Sequence, residues 1–233
     1  MDSATKSNRE FYELVAPRYE EADGRRKVAP EYLLKNLGQF KYTGFFEKVL
    51  WVTEKILDIG SGTGFWMGKG GKPLKNVVAY DISENMLREI KAGCLKVCGD
   101  AHKLPFGNNT FDKVICISTL HHLSDTELVL HEIKRVLRTG GVFYSDLDLD
   151  WTFAQRFRIL LAIYRWFRNA PGRFKVNKEL YKAAEAKNQG IRSSLVGGYL
   201  EDLGFKVTLT YHWGGGKPWP RGFAPYVAIW GVR

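Results

Sequence analysis

The stretch LDIGSGTGF at residues 57–65 decides how the rest of this 233-residue chain is interpreted. A short apolar run ends at Asp58, and Gly60, Gly62 and Gly64 follow at alternate positions. A glycine-rich turn of this kind follows the first strand of an open α/β sheet, where ligands bind beyond the carboxyl ends of the strands. Glycine lets the backbone turn tightly and approach a ligand more closely than a Cβ permits. By itself, however, the turn fits a plain connection or a dinucleotide site equally well.

Downstream of this turn, short β-branched runs alternate with longer helical patterns, which predicts a parallel α/β sheet. Seven strands are expected, at residues 56–58, 77–81, 95–97, 114–117, 142–145, 206–211 and 226–232. Residues 1–50 show helical spacing and predict a helical cap, including a second helix at residues 32–37. Residues 151 to about 195 are longer than an ordinary connection, so we expect a helical insertion between strands five and six. The main domain then spans residues 51–233.

Carboxylates distinguish the ligand classes that such a turn can serve. The dinucleotide pattern G-x-G-x-x-G, counted from Gly60, would need its third glycine where Phe65 stands, so this pattern is not met. Asp58, Asp81 and Asp100 end three successive strand candidates, and together they would repel an anionic pyrophosphate. S-adenosylmethionine instead carries a sulfonium, an ammonium and several hydrogen-bond donors, all of which suit carboxylates. The pattern therefore favours a cationic nucleoside ligand.

Six motifs carry a resemblance to a known family. They are DIGSGTG at 58–64, YDIS at 80–83, GDA at 99–101, LPFGNNTFDKV at 104–114, LHHL at 120–123 and EIKRVLRTGGVF at 132–143. In order and spacing they resemble the class I S-adenosylmethionine-dependent methyltransferases, and most of all the branch that includes ubiquinone and menaquinone biosynthesis enzymes. The resemblance implies an α/β, Rossmann-like, seven-stranded mostly parallel sheet with flanking helices. It also implies that the 51–233 domain is a methyltransferase domain with S-adenosylmethionine as its cofactor.

The resemblance assigns roles on the methionine and ribose side of the cofactor. Gly60 and Gly62 would approach the methionine part, and Asp58 would help to hold its ammonium through the turn. Asp81 would accept hydrogen bonds from the ribose hydroxyls. Ser118 would border the methionine at the end of the fourth strand.

On the adenine side, the resemblance assigns a second group of residues. Ile82 and Met86 would pack on the adenine, although apolar residues at this spacing also fit an ordinary core. Asp100 and the Ala101 amide would bind the edge that carries the adenine amine. Tyr19, from the helical cap, would close the pocket.

The sequence assigns no catalytic residue. Methyl transfer from a sulfonium is an in-line displacement in which positioning and desolvation suffice, so a general base is not compulsory. His121 and His122 are expected near the methyl donor, and we favour a pocket-lining role over proton transfer for both. His102 and His131 are expected to be surface or packing residues.

Positive charge is concentrated in the insertion. The chain has a formal net charge of +10, and residues 151–195 contain ten basic and two acidic side chains. An apolar stripe along residues 153–167 predicts an amphipathic helix packed as a lid, which would suit a small-molecule substrate, lipophilic or anionic. Contact with a membrane surface and an RNA methyltransferase that grips phosphates are further possibilities. A non-catalytic S-adenosylmethionine-binding protein is the third reading of the chain, and oligomeric state is not predicted.

Cysteine content and hydropathy narrow the remaining classes. Cys94, Cys98 and Cys116 form an odd set without paired spacing, so neither a disulfide framework nor a metal site is suggested. The apolar run at 159–164 is too short to span a membrane, and the amino-terminal residues lack the pattern of a signal peptide. We therefore expect a protein without a transmembrane segment and with a cytoplasmic location.

Overall fold

A seven-stranded sheet forms the centre of the molecule. The computed structural model describes residues 1–19, 54–64, 67, 74–168, 172, 175–184, 190–213 and 218–233, so the helix expected at residues 32–37 lies outside the described residues. The strands are β1 (Ile56–Ile59), β2 (Val77–Asp81), β3 (Leu95–Cys98), β4 (Phe111–Ile117), β5 (Leu137–Leu149), β6 (Lys206–His212) and β7 (Tyr226–Val232). Their order across the sheet is β3-β2-β1-β4-β5-β7-β6.

The strand directions confirm the predicted Rossmann-like architecture. Strands β1 to β5 pair in parallel, whereas β7 is antiparallel to both β5 and β6. The chain runs outward from β1 to β3 and then returns to place β4 on the other side of β1. This reversal creates a switch point between β1 and β4, and ligands bind at such a point in open α/β sheets.

Helices flank the sheet on both sides. They are α1 (Ser3–Val15), α2 (Glu84–Glu89), α3 (Thr126–Val136), α4 (Trp151–Arg156), α5 (Arg158–Arg168), α6 (Lys178–Ala184) and α7 (Ser193–Asp202). Several begin at a side chain that caps the first free N–H groups, as helix starts generally require. Ser83 accepts a hydrogen bond from Met86 N at the start of α2, and Asp125 accepts one from Leu128 N at the start of α3.

Alternating residues of the central strands supply the two faces of the core. Leu57 and Ile59 face one side of the sheet, in a cluster that also contains Val114 and Phe143. Ile56 packs on the opposite side, in a second cluster. Because successive side chains of a strand point to opposite faces, short apolar runs can fill both layers. This explains why the strands could be located from their sequence.

Strand β5 is much longer than the predicted 142–145 segment, and this is a correction. It begins immediately after α3 at Leu137 and continues through the acidic run as far as Leu149. At its start, Gly140 and Gly141 pair with the residue that follows β7, since Gly140 N donates to Arg233 O and Arg233 N donates to Gly141 O. At its end, the alternating aspartates are fully buried and have polar partners. Sequence reasoning placed the strand end too early because buried carboxylates are costly unless such partners exist.

The amino-terminal helix α1 packs against the main sheet domain. Phe11 and Val15 form a small apolar cluster with Met86 of α2. Within the insertion, α6 joins this cluster, and the rings of Phe11 and Tyr181 lie 5.9 Å apart. The insertion therefore contacts α1, while the proposed boundaries of the cap and the insertion remain predictions.

The expected lid helix is broken, and most of its apolar stripe is exposed. Helix α4 ends at Phe157, whose backbone angles, φ −108° and ψ 23°, leave the helical range. Phe153 is buried, but six of the seven large apolar side chains on α5 are exposed, and the seventh, Leu161, is half-buried. The expectation that this stripe packs on the protein is therefore wrong for α5. Within the described ranges, no helix combines the length and apolar character that a bilayer crossing requires.

Candidate active site

One cavity lies beyond the carboxyl ends of β1, β2 and β4, at the switch point of the sheet. All ten residues predicted to contact the cofactor line it. They are Tyr19, Asp58, Gly60, Gly62, Asp81, Ile82, Met86, Asp100, Ala101 and Ser118. The structure thus brings the ten residues together, whereas the role of each toward a ligand stays a prediction.

The glycine-rich turn is shaped by three residues with positive φ. Gly60, Gly62 and Gly64 have φ values of 70°, 53° and 77°, in the region that side chains disfavour. The Gly60 N–H donates to the Tyr80 carbonyl at 2.8 Å, which anchors the turn on the end of β2. A Cβ on Gly60 would lie 2.3 Å from Oγ1 of Thr119, whereas a Cβ on Gly62 would meet nothing within 4 Å. Gly60 is therefore required for packing, and the space beside Gly62 is open.

Asp81 stands at the centre of the cavity, at the last position of β2. Its Oδ2 accepts a hydrogen bond from Gly62 N at 2.8 Å, and its Oδ1 accepts one from Ser83 N at 2.9 Å. Burial raises the pKa of this carboxyl to about 6, although both backbone donors act in the opposite direction. A buried carboxylate that needs donors is well suited to accept hydrogen bonds from a ligand.

Asp100 lies just beyond β3 and is oriented by a histidine that sequence reasoning assigned to the surface or to packing. His102 donates its backbone N–H to Asp100 Oδ1 at 3.0 Å, and its Nδ1 lies 2.5 Å from the same oxygen. The His102 Nε2 accepts a hydrogen bond from Asp125 N at 3.2 Å, so the Nδ1 carries the ring proton. His102 also lines the cavity. The sequence signal that could have identified His102 was its position two residues after Asp100.

Strained backbone accompanies the cavity at two residues that are not glycine. Ser118, just after β4, has φ 53°, and Leu147 in β5 has φ 60°. The two are connected, since Ser118 N donates to the Asp146 carbonyl at 2.7 Å. Both residues line the cavity. Such conformations cluster at functional sites because surrounding structure must hold them in place.

The polar groups of the cavity fit a cationic nucleoside that also carries a carboxylate. Asp58, Asp81 and Asp100 supply acceptors for an ammonium, hydroxyls and an amine. Ser61 Oγ is buried and has no hydrogen-bond partner in the part of the chain that the structure describes. Buried polar atoms are rarely left without a partner, so this hydroxyl indicates a missing ligand group. S-adenosylmethionine satisfies the whole set of groups.

The adjacent histidines have different environments. His121 is buried, its Nδ1 lies 2.6 Å from Asp148 Oδ1, and it is not part of the cavity lining. His122 lines the cavity, and its Nε2 lies 2.8 Å from the Tyr12 hydroxyl. The two imidazole rings are in contact, with their centroids 3.9 Å apart and their planes tilted by 44°. Only His122 is therefore placed to meet a bound molecule directly.

Helix α1 supplies cavity residues that sequence reasoning did not identify. Thr5, Asn8 and Tyr12 line the end of the cavity near His122. Asn8 donates from its Nδ2 to the His122 carbonyl at 2.9 Å, whereas its buried Oδ1 has no hydrogen-bond partner within the described ranges. Their spacing of three and four residues places them on one helix face, and this periodicity was the signal that could have found them.

Comparison with known proteins identifies the domain. The sequence model of a methyltransferase domain family matches residues 57–145, which contain the glycine-rich turn, strands β2 to β4 and all of β1 except its first residue. A demethylmenaquinone methyltransferase from Staphylococcus aureus is 29% identical, and the match covers 78% of this chain and 83% of that protein. Residues 57–145 therefore carry a methyltransferase domain, and the chain is an S-adenosylmethionine-dependent methyltransferase. The dinucleotide alternative for the glycine-rich turn is thereby rejected.

Two crystal structures share the fold of the methyltransferase. An S-adenosylmethionine-dependent methyltransferase from Thermotoga maritima has a TM-score of 0.62 at 18% identity, with coverage of 96% of this chain and 98% of that one. Magnesium protoporphyrin IX methyltransferase from Synechocystis PCC 6803, with bound S-adenosylhomocysteine, has a TM-score of 0.60 at 16% identity, with coverage of 97% of each chain. Both likenesses extend over nearly the whole of each chain and concern the fold.

Proposed function

We propose that the methyltransferase transfers its methyl group to a small lipophilic molecule bound between α1 and the end of β4. The observation that carries this proposal is the lining of the cavity beside Ser118. Tyr12, Tyr19, Leu123 and Leu147 surround this end with aromatic and aliphatic side chains. A cavity roofed by a helix and lined in this way favours a compact apolar molecule over a polymer.

The proposed cofactor contacts follow from the polar groups of the cavity. Gly60 and Gly62 approach the methionine part, Asp58 faces its ammonium, and Ser118 borders it. The Ser61 hydroxyl, which has no hydrogen-bond partner among the described residues, is available for the carboxylate of the cofactor. When bound, S-adenosylmethionine supplies an electrophilic methyl group on a positively charged sulfur. The carboxylates of the cavity favour that positive charge electrostatically.

The remaining contacts concern the nucleoside. Asp81 accepts hydrogen bonds from the ribose hydroxyls beside those it accepts from the backbone, because each carboxylate oxygen can accept more than one. Asp100, held by His102, and the Ala101 amide bind the amine edge of the adenine. Ile82 and Met86 pack on its faces.

A quinone-like acceptor is the finer form of the proposal. The Staphylococcus aureus relative is named for demethylmenaquinone, which is a lipophilic quinone. A quinol hydroxyl or a similar donor would meet the Tyr12–His122 pair at the acceptor end, and also the Asn8 Oδ1, to which no described residue donates a hydrogen bond. The pair orients the acceptor and can take up its proton, since a neutral imidazole accepts one near neutral pH. The cytoplasmic location expected from the sequence also stays a prediction.

The Asp81→Ala variant tests the cofactor part of the proposal. We expect its affinity for S-adenosylhomocysteine to fall about tenfold to a hundredfold in a calorimetric titration, because hydrogen bonds to a buried carboxylate are lost. Asp202→Ala, which removes an exposed aspartate on α7, is the matched control and should bind normally. Unchanged affinity of Asp81→Ala, with the fold intact by circular dichroism, would contradict the proposed contact.

The acceptor class requires a separate experiment. The enzyme is incubated with a cell extract and S-adenosylmethionine labelled on the methyl group, and the product is partitioned between an organic phase and precipitated nucleic acid. We expect the label in the organic phase. Label in the RNA fraction would instead support the RNA methyltransferase alternative that the basic insertion raised.

A further inference from the structure

An exposed apolar surface lies outside the cavity, and we call it the aromatic surface. Its members come from α5 and from the segments that flank β6 and β7. They are Ile159, Leu160, Ile163, Tyr164, Trp166, Phe167, Trp213, Trp219 and Phe223. Trp166 and Phe167 are 76% and 74% exposed. Scattered apolar side chains are normal on a protein surface, but a concentration of this size marks an interaction site.

The orientation of α5 is the reverse of that of an ordinary amphipathic helix. At 100° per residue, its six exposed apolar side chains occupy one continuous arc. Leu161 lies on the opposite side of the helix and is half-buried. A helix that stabilises a core turns its apolar arc inward. Here the arc faces outward, so packing within the described protein does not explain it.

Ring contacts connect α5 to the rest of the aromatic surface. The ring centroid of Phe153 lies 4.7 Å from that of Phe157, where α4 meets α5, and 5.6 Å from that of Trp213. The ring centroids of Trp213 and Trp219 in turn lie 6.3 Å apart. A row of ring contacts therefore runs from the junction of α4 and α5 to the segment before β7.

The aromatic surface also lies at the same edge of the sheet as the cavity. Strands β5 and β6 are both antiparallel to β7, so their carboxyl ends share one edge. Helix α4 follows β5 at this edge, and Trp213 follows β6 there. The cofactor cavity opens at the carboxyl ends of β1, β2 and β4, which is that same edge. A partner bound to the surface would therefore be close to the site of methyl transfer.

Charge identifies the kind of partner. The insertion that contains α5 has ten basic and two acidic residues, and the Arg156 guanidinium lies 4.1 Å from the centre of the Phe223 ring. Aromatic side chains mixed with basic ones are typical of helices that lie in the interface of an anionic membrane. A second copy of this chain would bring like charges together, which opposes self-association.

We propose that the aromatic surface binds the surface of an anionic lipid bilayer, with α5 lying in the plane of the interface. Tyr164, Trp166 and Phe167 enter the boundary between headgroups and acyl chains, and the basic residues of the insertion attract the lipid phosphates. The proposal concerns binding to membranes and does not depend on which acceptor the enzyme methylates.

Vesicle sedimentation tests this proposal with the full-length enzyme. We expect binding to vesicles of phosphatidylglycerol mixed with phosphatidylcholine, much weaker binding to phosphatidylcholine alone, and weaker binding as salt is added. The partition coefficient of the Trp166→Ser/Phe167→Ser variant should fall by about tenfold or more, because two large apolar side chains no longer enter the bilayer. Leu95→Ser/Leu128→Ser removes two exposed leucines elsewhere and should bind normally.

Titration with S-adenosylhomocysteine separates this result from the proposed function. Normal cofactor affinity of the Trp166→Ser/Phe167→Ser variant shows that it folds and that only the surface has changed. The proposal is overturned if the wild-type enzyme ignores anionic vesicles or if that variant binds them as tightly as wild type. It is also overturned if the surface instead binds RNA at low salt or mediates dimerisation, as measured by gel shift and by sedimentation equilibrium.

Discussion

At the glycine-rich turn, the distance between an added Cβ and the neighbouring side chains decides which residue type fits, and a few tenths of an ångström matter. Gly60 faces Thr119 so closely that even a methyl group would overlap its side chain. Gly204, just after α7, has a comparable φ of 87°, but a Cβ added there would meet nothing within 4 Å. The two glycines therefore separate the cost of an unfavourable φ from the cost of a steric clash.

Replacing each of these glycines with alanine gives a specific prediction. Gly204→Ala should lower the free energy of unfolding by about 1 to 2 kcal/mol, from backbone strain alone, and should leave the cofactor affinity unchanged. Gly60→Ala should cost more, because Thr119 must move, and should weaken S-adenosylhomocysteine binding. Urea denaturation and calorimetric titration measure the two effects. Equal behaviour of both variants would show that the contact with Thr119 is unimportant.

Asp81 should make cofactor binding depend on pH. Its pKa of about 6 in the ligand-free protein means that the carboxylate is ionised at pH 7 and largely protonated at pH 5. If only the ionised form binds, affinity for S-adenosylhomocysteine falls about tenfold between these values. Asp81→Asn should bind weakly at both pH values, without this dependence. Equal wild-type affinity at pH 7 and pH 5 in calorimetric titrations would contradict the assignment.

The raised pKa of Asp81 has the opposite effect on the stability of the ligand-free protein, which falls as pH rises. The folded state holds a proton on Asp81 that the unfolded chain releases near its ordinary pKa of 3.8. Between about pH 4 and pH 6 the unfolded state therefore binds fewer protons at this residue, and its contribution to stability falls as pH rises. The buried carboxylate of Asp81 therefore favours ligand binding near neutral pH but lowers the stability of the ligand-free protein there.

Individual site residues could be predicted where a local sequence pattern placed them, and could not be predicted where their position depends on contacts between distant parts of the chain. Asp58, Asp81 and Asp100 stand at strand ends next to glycines or turns, so their convergence could be inferred from topology alone. Asn8 and Tyr12 reach the cavity only because α1 docks beside His122. That docking depends on Phe11 and Met86, which are far apart in sequence. Local patterns carry no information about such contacts.

Strand β5 shows how an element can contradict its own sequence pattern. Its acidic run alternates with leucine, yet Asp146, Asp148 and Asp150 are all fully buried. Each has a distant partner: His212 lies 2.7 Å from Asp146, His121 lies 2.6 Å from Asp148, and Ser193 donates to Asp150 at 2.6 Å. The strand could not be delimited from sequence because these partners come from three other elements.

The Asp146–His212 pair should be a major contributor to the stability of this side of the sheet. Both side chains have no exposed surface, and the Tyr144 hydroxyl donates to the second carboxylate oxygen of Asp146. His212→Ala leaves a buried carboxylate without its main partner, so we expect a loss of about 3 to 5 kcal/mol in the free energy of unfolding. Urea denaturation measures it. His131→Ala, at an exposed position on α3, is the control and should change stability little.

At the scale of the whole molecule, the sheet could be predicted and the arrangement of the insertion could not. The strands of the sheet are apolar runs separated by turns and helices, and parallel α/β units follow strict topological rules. The insertion obeys no such rule, because one amphipathic pattern fits a helix packed inward and a helix facing outward equally well. The break at Phe157 and the exposure of α5 therefore required the structure.

The position of β7 between β5 and β6 has a consequence for how the chain is made. Strand β6 leaves the ribosome before β7, yet it reaches the sheet only through β7. Until β7 has been synthesised, the outer edge of β5 stays open and β6 has no strand to pair with. Unpaired strand edges invite association with other chains, and closing this gap requires contacts between distant parts of the sequence, which form slowly. The interval between the synthesis of these two strands is thus when the outer edge of β5 is open to association with other chains.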